Sequence, residues 1–598
     1  MFKRLKRLFQ LLSSEQRKRL IRLQFLVVLM AFAEVAGVAA IGPFMALVGD
    51  ISLLHGEGVL AEIYSLSGFQ NPRDFLFWLG VCVLVVLACA SVIAMFTTWR
   101  LSLYAAKVGA EISTRLFKHY MSQPWLFHAN GTSSELTNRI SQETNRITNL
   151  VIQPLMQMNA KAVLGLVMGG AIFAFNPLVA LVGLTTFSVA YVLLYKLIRS
   201  QLTRNGDDIS KANQERFKLM NEGFGGIRDT LLLGRQTDFV NRFNKSSELL
   251  GNSQGVTRAL AQAPRYAMEL VAFGAVIFLI LYLLSEYDGA LSDILPVLSV
   301  YALAGFKLLP AFQQIYTSLA QVKGNMASFD SIEEDLKASL NEKTIENAAQ
   351  YGKLKPRNLI ELEDISFSYP GNRQMALQNL SLKLPVNQVI GLVGASGSGK
   401  STTIDILLGL IEPKTGLLKV DGIEVKERRK RAWQNNIGFV PQTIFLADSS
   451  IRENIAFGIA PDRIDEERVR KAAKLAHLED LLDQLDEGLD TRVGERGIQI
   501  SGGQRQRIGI ARALYDDADV LVFDEATSAL DGITEKLVMD AIHNLSGAKT
   551  IVIIAHRINT VRQCDTIYFL NNGTVQDSGT YEQLVVSNNN FKKMAYTS

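Results

Sequence analysis

Residues 389–410 read VIGLVGASGSGKSTTIDILLGL. An apolar, β-rich run (Val389 to Val393) leads into Gly394-Ala395-Ser396-Gly397-Ser398-Gly399-Lys400-Ser401, and a helical stretch from Thr402 to Leu410 follows. That is the spacing G-x-x-x-x-G-K-[ST] in the strand–loop–helix context that gives it meaning. The small residues let backbone N–H groups close around a phosphate, and the helix N-terminus adds partial positive charge. Lys400 contributes a point charge, Ser401 can hold Mg²⁺, and Thr402 continues the cradle.

Moving outward, apolar runs at Val520 to Phe523 and Ile551 to Ile554 alternate with helical stretches. This predicts an α/β domain built on a largely parallel sheet. The run at 520–523 ends in Asp524-Glu525. A strand delivering two carboxylates beside a phosphate loop suits a Mg²⁺ ligand (Asp524) and a base that polarises the attacking water (Glu525). Read alone, the same acidic pair is an ordinary helix N-cap; the phosphate loop upstream decides for catalysis.

The N-terminal half is of another kind. The chain has 598 residues, too many for one core. Net charge is only +4, which gives no support to nucleic-acid binding. The three cysteines, Cys82, Cys89 and Cys564, show neither metal spacing nor a disulfide framework. Six apolar stretches reach the length needed to cross a bilayer. They run over 23–48, 75–98, 151–175, 177–198, 267–284 and 291–312. Lys and Arg crowd the N-terminus and the segments 100–149 and 199–265, and they nearly vanish from the other loops. Both termini are therefore expected in the cytoplasm. The two basic segments read as cytoplasmic extensions of the membrane helices. Each is interrupted once, at 123–135 and at 224–233, where short contact helices are expected. Segment 51–74 is external, and Val59, Ile63 and Leu66 fit one face of a short helix as well as a plain loop.

At the N-terminus Lys3, Arg4, Lys6 and Arg7 accompany Leu5, Leu8, Phe9 and Leu12 at helical spacing. The apolar run that follows is too long for the core of a signal peptide. The reading is an amphipathic helix on the cytoplasmic membrane surface, against a plain basic flank. The chain then divides into a basic helix (1–22), a membrane domain (23–325), a linker (326–354) and a nucleotide-binding domain (355–598).

Ile500-Ser501-Gly502-Gly503-Gln504 makes the reading specific, because nucleotide loops in general do not need it. With it, residues 355–598 resemble an ATP-binding-cassette domain, of which this serine-glycine-glycine-glutamine stretch is the signature. The resemblance implies further roles. Tyr369 matches the aromatic that stacks on adenine. Gln442 matches the Q-loop glutamine, a metal ligand that also serves catalysis. Ser528 to Asp531 match the D-loop, and His556 matches the switch histidine. The stretch Thr491 to Glu495 is similar to one found in exporters. Isoleucine at 500 stands where leucine is more usual. In that family two cassettes sandwich two ATP molecules, the phosphate loop of one facing the signature of the other. The implied fold is an all-α six-helix transmembrane domain of the exporter type followed by an α/β P-loop cassette. The implied cofactors are ATP and Mg²⁺. The implied partner is a second copy of the chain, a heterodimer remaining open. The implied place is a bacterial inner membrane.

Substrate is read from charges inside the spans, where each is costly. Lys161, Arg265 and Lys307 are the cations, and Glu34 and Glu269 the acids. Lys161 shares a spacing of four with Gln153 and Gln157, which points to a wet, cationic cavity suited to a phosphate or pyrophosphate headgroup. Arg265 and Glu269, four apart, are equally suited to pair with each other. Gln123 to His128, Ser133 to Leu136, Gly226 to Arg228, Pro264-Arg265 with Glu269, and Leu308-Leu309-Pro310 resemble bacterial flippases of lipid-linked oligosaccharides, which also carry a short external helix. Lys307 stands where an arginine is more usual. Flipping of a polyprenyl-pyrophosphate-linked oligosaccharide is thus the leading expectation. Export of a lipopolysaccharide precursor, efflux of drugs or peptides, and a non-transporting channel or regulator are the alternatives.

Overall fold

The structure is a computed structural model. It describes residues 2–55, 58–131, 133–286, 291–340, 348–494, 500–526, 532–543, 545–555 and 558–597. His556, the 528–531 stretch and Glu495 lie outside these residues. The chain divides into two units, Met1–Gln123 with Phe127–Thr344, and Pro124–Leu126 with Ile345–Ser598.

The first unit is helical: α1 (Phe2–Leu11), α2 (Ser14–Gly49), α3 (Val59–Ser67), α4 (Pro72–Met121), α5 (Trp125–Asn130), α6 (Ser133–Asn138), α7 (Thr144–Ile147), α8 (Gln153–Phe175), α9 (Pro177–Gly225), α10 (Ile227–Leu232), α11 (Gln236–Gln262), α12 (Pro264–Glu286) and α13 (Leu291–Ala338). Among the described residues, four stretches are long and apolar enough to cross a membrane: Ser14–Gly49, Pro72–Met121, Ser133–Phe175 and Ala180–Gly225. The fifth and sixth expected spans fall on α12 and α13, and residues 287–290 between them are outside the described set. Helices α4 and α9 run far past the apolar windows, so the basic segments do prolong the spans. The two expected interruptions become α5 and α10, six residues each.

Three expectations are revised. The break in the N-terminal helix falls at Ser13, whose hydroxyl and Gln16 form a capping box that starts α2, so residues 14–22 belong to the first span's helix. The stripe of α1 packs on protein: Leu8, Leu11 and Leu12 are buried in a cluster with Leu116, Phe329, Ile332 and Leu336. Arg4 pairs with Asp330 at 3.1 Å and Arg7 with Glu333 at 2.7 Å. The complementary carboxylates on α13 explain why this face turns inward; Phe9 alone stays exposed. The linker starts later than residue 326, because Met326, Phe329, Ile332 and Leu336 recur at helical spacing and carry α13 on to Ala338.

Between 139 and 152 the third long helix contains two π-helical turns, Arg139–Glu143 and Thr148–Ile152. Glu143, the last residue of the first turn, forms a buried ion pair at 3.1 Å with Arg146, which stands between the two turns. Arg146 also donates to Ser210 on α9 (2.7 Å) and Asn325 on α13 (3.3 Å), tying three helices together. Nearby, α9 and α13 touch backbone to backbone. A Cβ on Gly206 would lie 2.4 Å from the Gly324 carbonyl oxygen.

Outside the spans, α3 exists as a helix. Leu60 and Tyr64 pack on Leu47, Leu54 and Phe75. The stripe singled out from sequence, Val59, Ile63 and Leu66, is its exposed face.

The second unit holds two sheets. Its strands are β1 (Leu359–Phe367), β2 (Leu377–Pro385), β3 (Val389–Gly394), β4 (Thr415–Val420), β5 (Ile423–Glu424), β6 (Ile437–Val440), β7 (Val520–Asp524), β8 (Thr550–Ile554), β9 (Thr566–Asn571) and β10 (Thr574–Gly579). The six-stranded sheet has the order β10-β9-β3-β8-β7-β6. It is parallel except for β10. Strand β3 is buried along its whole length, as its unbroken apolar sequence requires. The antiparallel sheet β2-β1-β4-β5 was not legible in the alternation of strand and helix.

Candidate active site and membrane cavity

Strands β3, β6 and β7 are parallel members of one sheet, so their carboxyl ends share an edge, the usual ligand edge of such sheets. The phosphate loop leaves β3 there, Gln442 follows β6, and Asp524-Glu525 close β7.

The loop is shaped by its glycines. Gly399 adopts φ 101°, and a Cβ there would lie 2.6 Å from a Leu377 methyl. Lys400 begins α14 (Lys400–Leu407) and is 6% exposed. Its ammonium donates to the carbonyls of Gly394 (2.7 Å) and Ala395 (3.0 Å), which holds it across the loop. Burial pushes its pKa below the ordinary lysine value, while the charges of Glu525 and Asp524 oppose that shift. Ser396 and Gly397 are exposed, whereas the Ser398 side chain is buried with its hydroxyl unpartnered.

Glu525 lies at φ 49°, outside the strand conformation. The turn presents its carboxylate to Gln442, whose Nε2 donates to Oε2 at 2.8 Å. The Glu525 carbonyl accepts from Gln506 at 3.3 Å. With its amide nitrogen on Glu525, Gln442 keeps its amide oxygen as an acceptor. That oxygen, the Ser401 hydroxyl and the Asp524 carboxylate are hard-oxygen donors of the kind Mg²⁺ takes.

Two residues here escaped the sequence reading. Gln506 supports the backbone of Glu525. Asp405 stands four residues after Ser401, on the same helix face. Burial and the Asp524 charge push its pKa up to about 6. The i, i+4 spacing was the available signal.

Tyr369 is half-buried, with its hydroxyl 3.1 Å from that of Thr402. This bond ties the proposed adenine platform to the start of α14. Phe367 meets its ring edge-on at 5.1 Å.

Ser501 caps the helix Gly502–Tyr515 through a capping box with Gln504. Ser501 and Gly502 are exposed, and Gly503 and Gln504 are partly so. The signature is therefore a helix N-terminus open to an anion.

In the membrane unit the three cations have different fates. Lys307 pairs with Glu34 at 3.4 Å. Arg265, mostly exposed, pairs with Glu269 at 2.8 Å. Lys161 is half-buried and has no carboxylate partner among the described residues. The polar strip around it is partly zipped between helices. Asn159 donates to Gln24 (2.6 Å), and Gln157 accepts from Gln314 (2.8 Å). Close by, a cavity of about 1020 Å³ is lined from α8, α9, α12 and α13. Its walls are mostly apolar and include Gly165, Gly169, Gly170, Gly183, Gly274 and Gly305, with Glu269 and Tyr301 also on them. A Cβ at any of these glycines would meet nothing within 4 Å. Lys161, Gly165 and Gly169 recur every four residues on α8, so the unpaired lysine stands one turn from the cavity wall on the same face.

Comparison with known proteins finds matches to both parts of the chain. The ABC transporter model matches residues 377–528, and the ABC transporter transmembrane region model matches residues 40–314. The ATP-dependent lipid A-core flippase of Vibrio vulnificus (strain CMCP6) is 28% identical over 531 residues, 87% of this chain and 88% of that protein. Its namesake from Photorhabdus laumondii subsp. laumondii is 27% identical over 565 residues, 93% and 94% of the two chains. Among solved structures, a bacterial Atm1-family ABC exporter with ATP bound superposes with a TM-score of 0.78. At 20% identity, with 97% of this chain and 98% of that one covered, it establishes the fold. Both parts are matched, in this order and on one chain, so this protein belongs to the ABC transporters, as a half-transporter whose cassette couples ATP hydrolysis to translocation across a membrane.

Proposed function

We propose that the transported molecule is a glycan-bearing lipid with a phosphate or pyrophosphate headgroup. The observation that carries this reading is Lys161, without a carboxylate partner among the described residues, one turn from a large, apolar, glycine-lined cavity. An apolar space suits acyl or prenyl chains, and a cation at its edge suits an anionic head. The names of the relatives favour a lipid A-core type of substrate. The external helix α3, with Val59, Ile63 and Leu66 exposed, and Lys307 before Leu308-Leu309-Pro310 favour a polyprenyl-pyrophosphate-linked oligosaccharide.

Two copies of the chain form the working unit in this reading. The exposed signature of one cassette meets ATP held by the phosphate loop of the other. Ser401, Gln442 and Asp524 would hold Mg²⁺, which would supply positive charge against the phosphates. Lys400 leaves its own loop carbonyls for the phosphates, Tyr369 stacks on adenine, and Glu525, oriented by Gln442, accepts a proton from the attacking water. By its match to the switch histidine, His556 is assigned the γ-phosphate contact. The membrane is the bacterial inner membrane, with both termini and the cassette in the cytoplasm.

The test is lipid binding to the full-length protein in nanodiscs, with lipid A-core, undecaprenyl-pyrophosphate oligosaccharide and a neutral glycolipid as probes. An anionic probe should bind, and Lys161→Ala should weaken it about tenfold or more, the worth of a charge-assisted contact. The tighter of the two anionic probes identifies the donor lipid. Equal binding of the neutral glycolipid, unaffected by Lys161→Ala, would sink the anionic-headgroup reading.

A further inference from the structure

The Glu34–Lys307 pair lies in an apolar setting. Glu34 is only 6% exposed, and its side chain reaches Lys307 at 3.4 Å. One turn to either side stand Ala31 and Val38 on α2, and Ala304 and Ala311 on α13. These four belong to one buried cluster with Leu164 and Met168 of α8. A carboxylate buried in such a wall needs a cation beside it. The pair is asymmetric: Lys307 keeps 39% of its side chain exposed while Glu34 is enclosed. The ammonium carries a single charge, and its exposed side is open to an incoming anion, so that anion draws on the same charge that Glu34 holds. On the third helix, Lys161, Leu164 and Met168 recur at i, i+3 and i+7. The unpaired cation is thus one turn along the face that packs against the pair.

We infer that Glu34 is a resident counter-anion that competes with the substrate headgroup for Lys307, so that loading is an exchange of one anion for another. This rests on the anionic-lipid reading above. The competing carboxylate lowers affinity for the headgroup and gives it a means of release, since Glu34 recaptures Lys307 as the lipid leaves. Lipids without an anionic head gain nothing from displacing Glu34, which makes the pair a device for specificity.

The experiment measures ATPase stimulation of the full-length protein in nanodiscs by bis-phosphorylated lipid A and, separately, by undecaprenyl pyrophosphate. Glu34→Gln releases Lys307 and should lower the half-maximal lipid concentration about tenfold; Glu34→Met should do the same if the glutamine variant folds poorly. Lys307→Met should raise that concentration, and adding Glu34→Gln to it should change nothing further, because Glu34 acts through Lys307. A wild type that responds while both Glu34 variants leave the half-maximal concentration unmoved overturns the exchange alone. An equal shift by Glu34→Gln in the Lys307→Met background also overturns it. A wild type that responds to neither lipid removes the anionic-lipid reading and this inference with it.

Discussion

Glu525 occupies φ 49°, a conformation that costs a non-glycine residue about 1–2 kcal/mol. The strain is held at the atom pair where it matters, the carboxylate facing Gln442. Glu525→Gln should bind ATP as the wild type does, while hydrolysis falls by orders of magnitude; radiolabelled ATP retention beside phosphate release measures both. Cys564 gives a contrasting prediction. Burial pushes its thiol up to about 12. Raising the thiol's pKa disfavours the thiolate, so at pH 8 only about 10⁻⁴ of it is ionised, against roughly a quarter for an ordinary cysteine. Iodoacetamide at pH 8 should leave Cys564 unlabelled in native protein and label it after denaturation, read by mass spectrometry. Much of the ATP site was legible because its chemistry is written in short spacings: the phosphate loop, the acidic pair, the signature. The pairings were not. Gln442 with Glu525 and Lys307 with Glu34 join residues far apart in the chain, and no local period encodes such a meeting.

Among the elements, α13 shows how tertiary packing resets a boundary. Its apolar stripe continues past residue 325 because α1 and α4 supply a surface for it, and the composition of 326–338 alone, polar and charged, hides this. The antiparallel sheet was missed for a related reason. Its strands, as in β1 with its mixed burial, lack the unbroken apolar runs that mark β3 and β7. Two substitutions test the helix contacts. Gly206→Val pushes a side chain into the Gly324 carbonyl and should destabilise the α9–α13 crossing by about 1–3 kcal/mol, seen as a lower Tm in detergent. Arg146→Met strands the buried Glu143 carboxylate at a cost of about 3–5 kcal/mol. Adding Glu143→Gln should return most of that Tm loss, because no uncompensated charge then remains.

At the scale of the whole molecule, the sequence divides into an apolar half that reads as spans and a soluble half that reads as an ATPase, and each unit of the structure answers to one of them. Charge asymmetry and hydropathy carry the first reading because a bilayer imposes length and sign on any chain that crosses it. What gets transported is less legible, since it depends on which cations remain unpaired after folding. Of the three candidates, the described residues pair Arg265 and Lys307 internally and leave Lys161 beside the cavity. The most direct measurement is ATP-driven translocation of lipid A-core and of undecaprenyl-pyrophosphate oligosaccharide in proteoliposomes, comparing wild type, Lys161→Ala and Glu525→Gln. The account predicts transport of an anionic lipid by the wild type, none by Glu525→Gln, and a Lys161→Ala protein that still hydrolyses ATP but translocates at about a tenth of the rate or less. Translocation by Lys161→Ala at the wild-type rate, or equal transport of a neutral glycolipid, would contradict it.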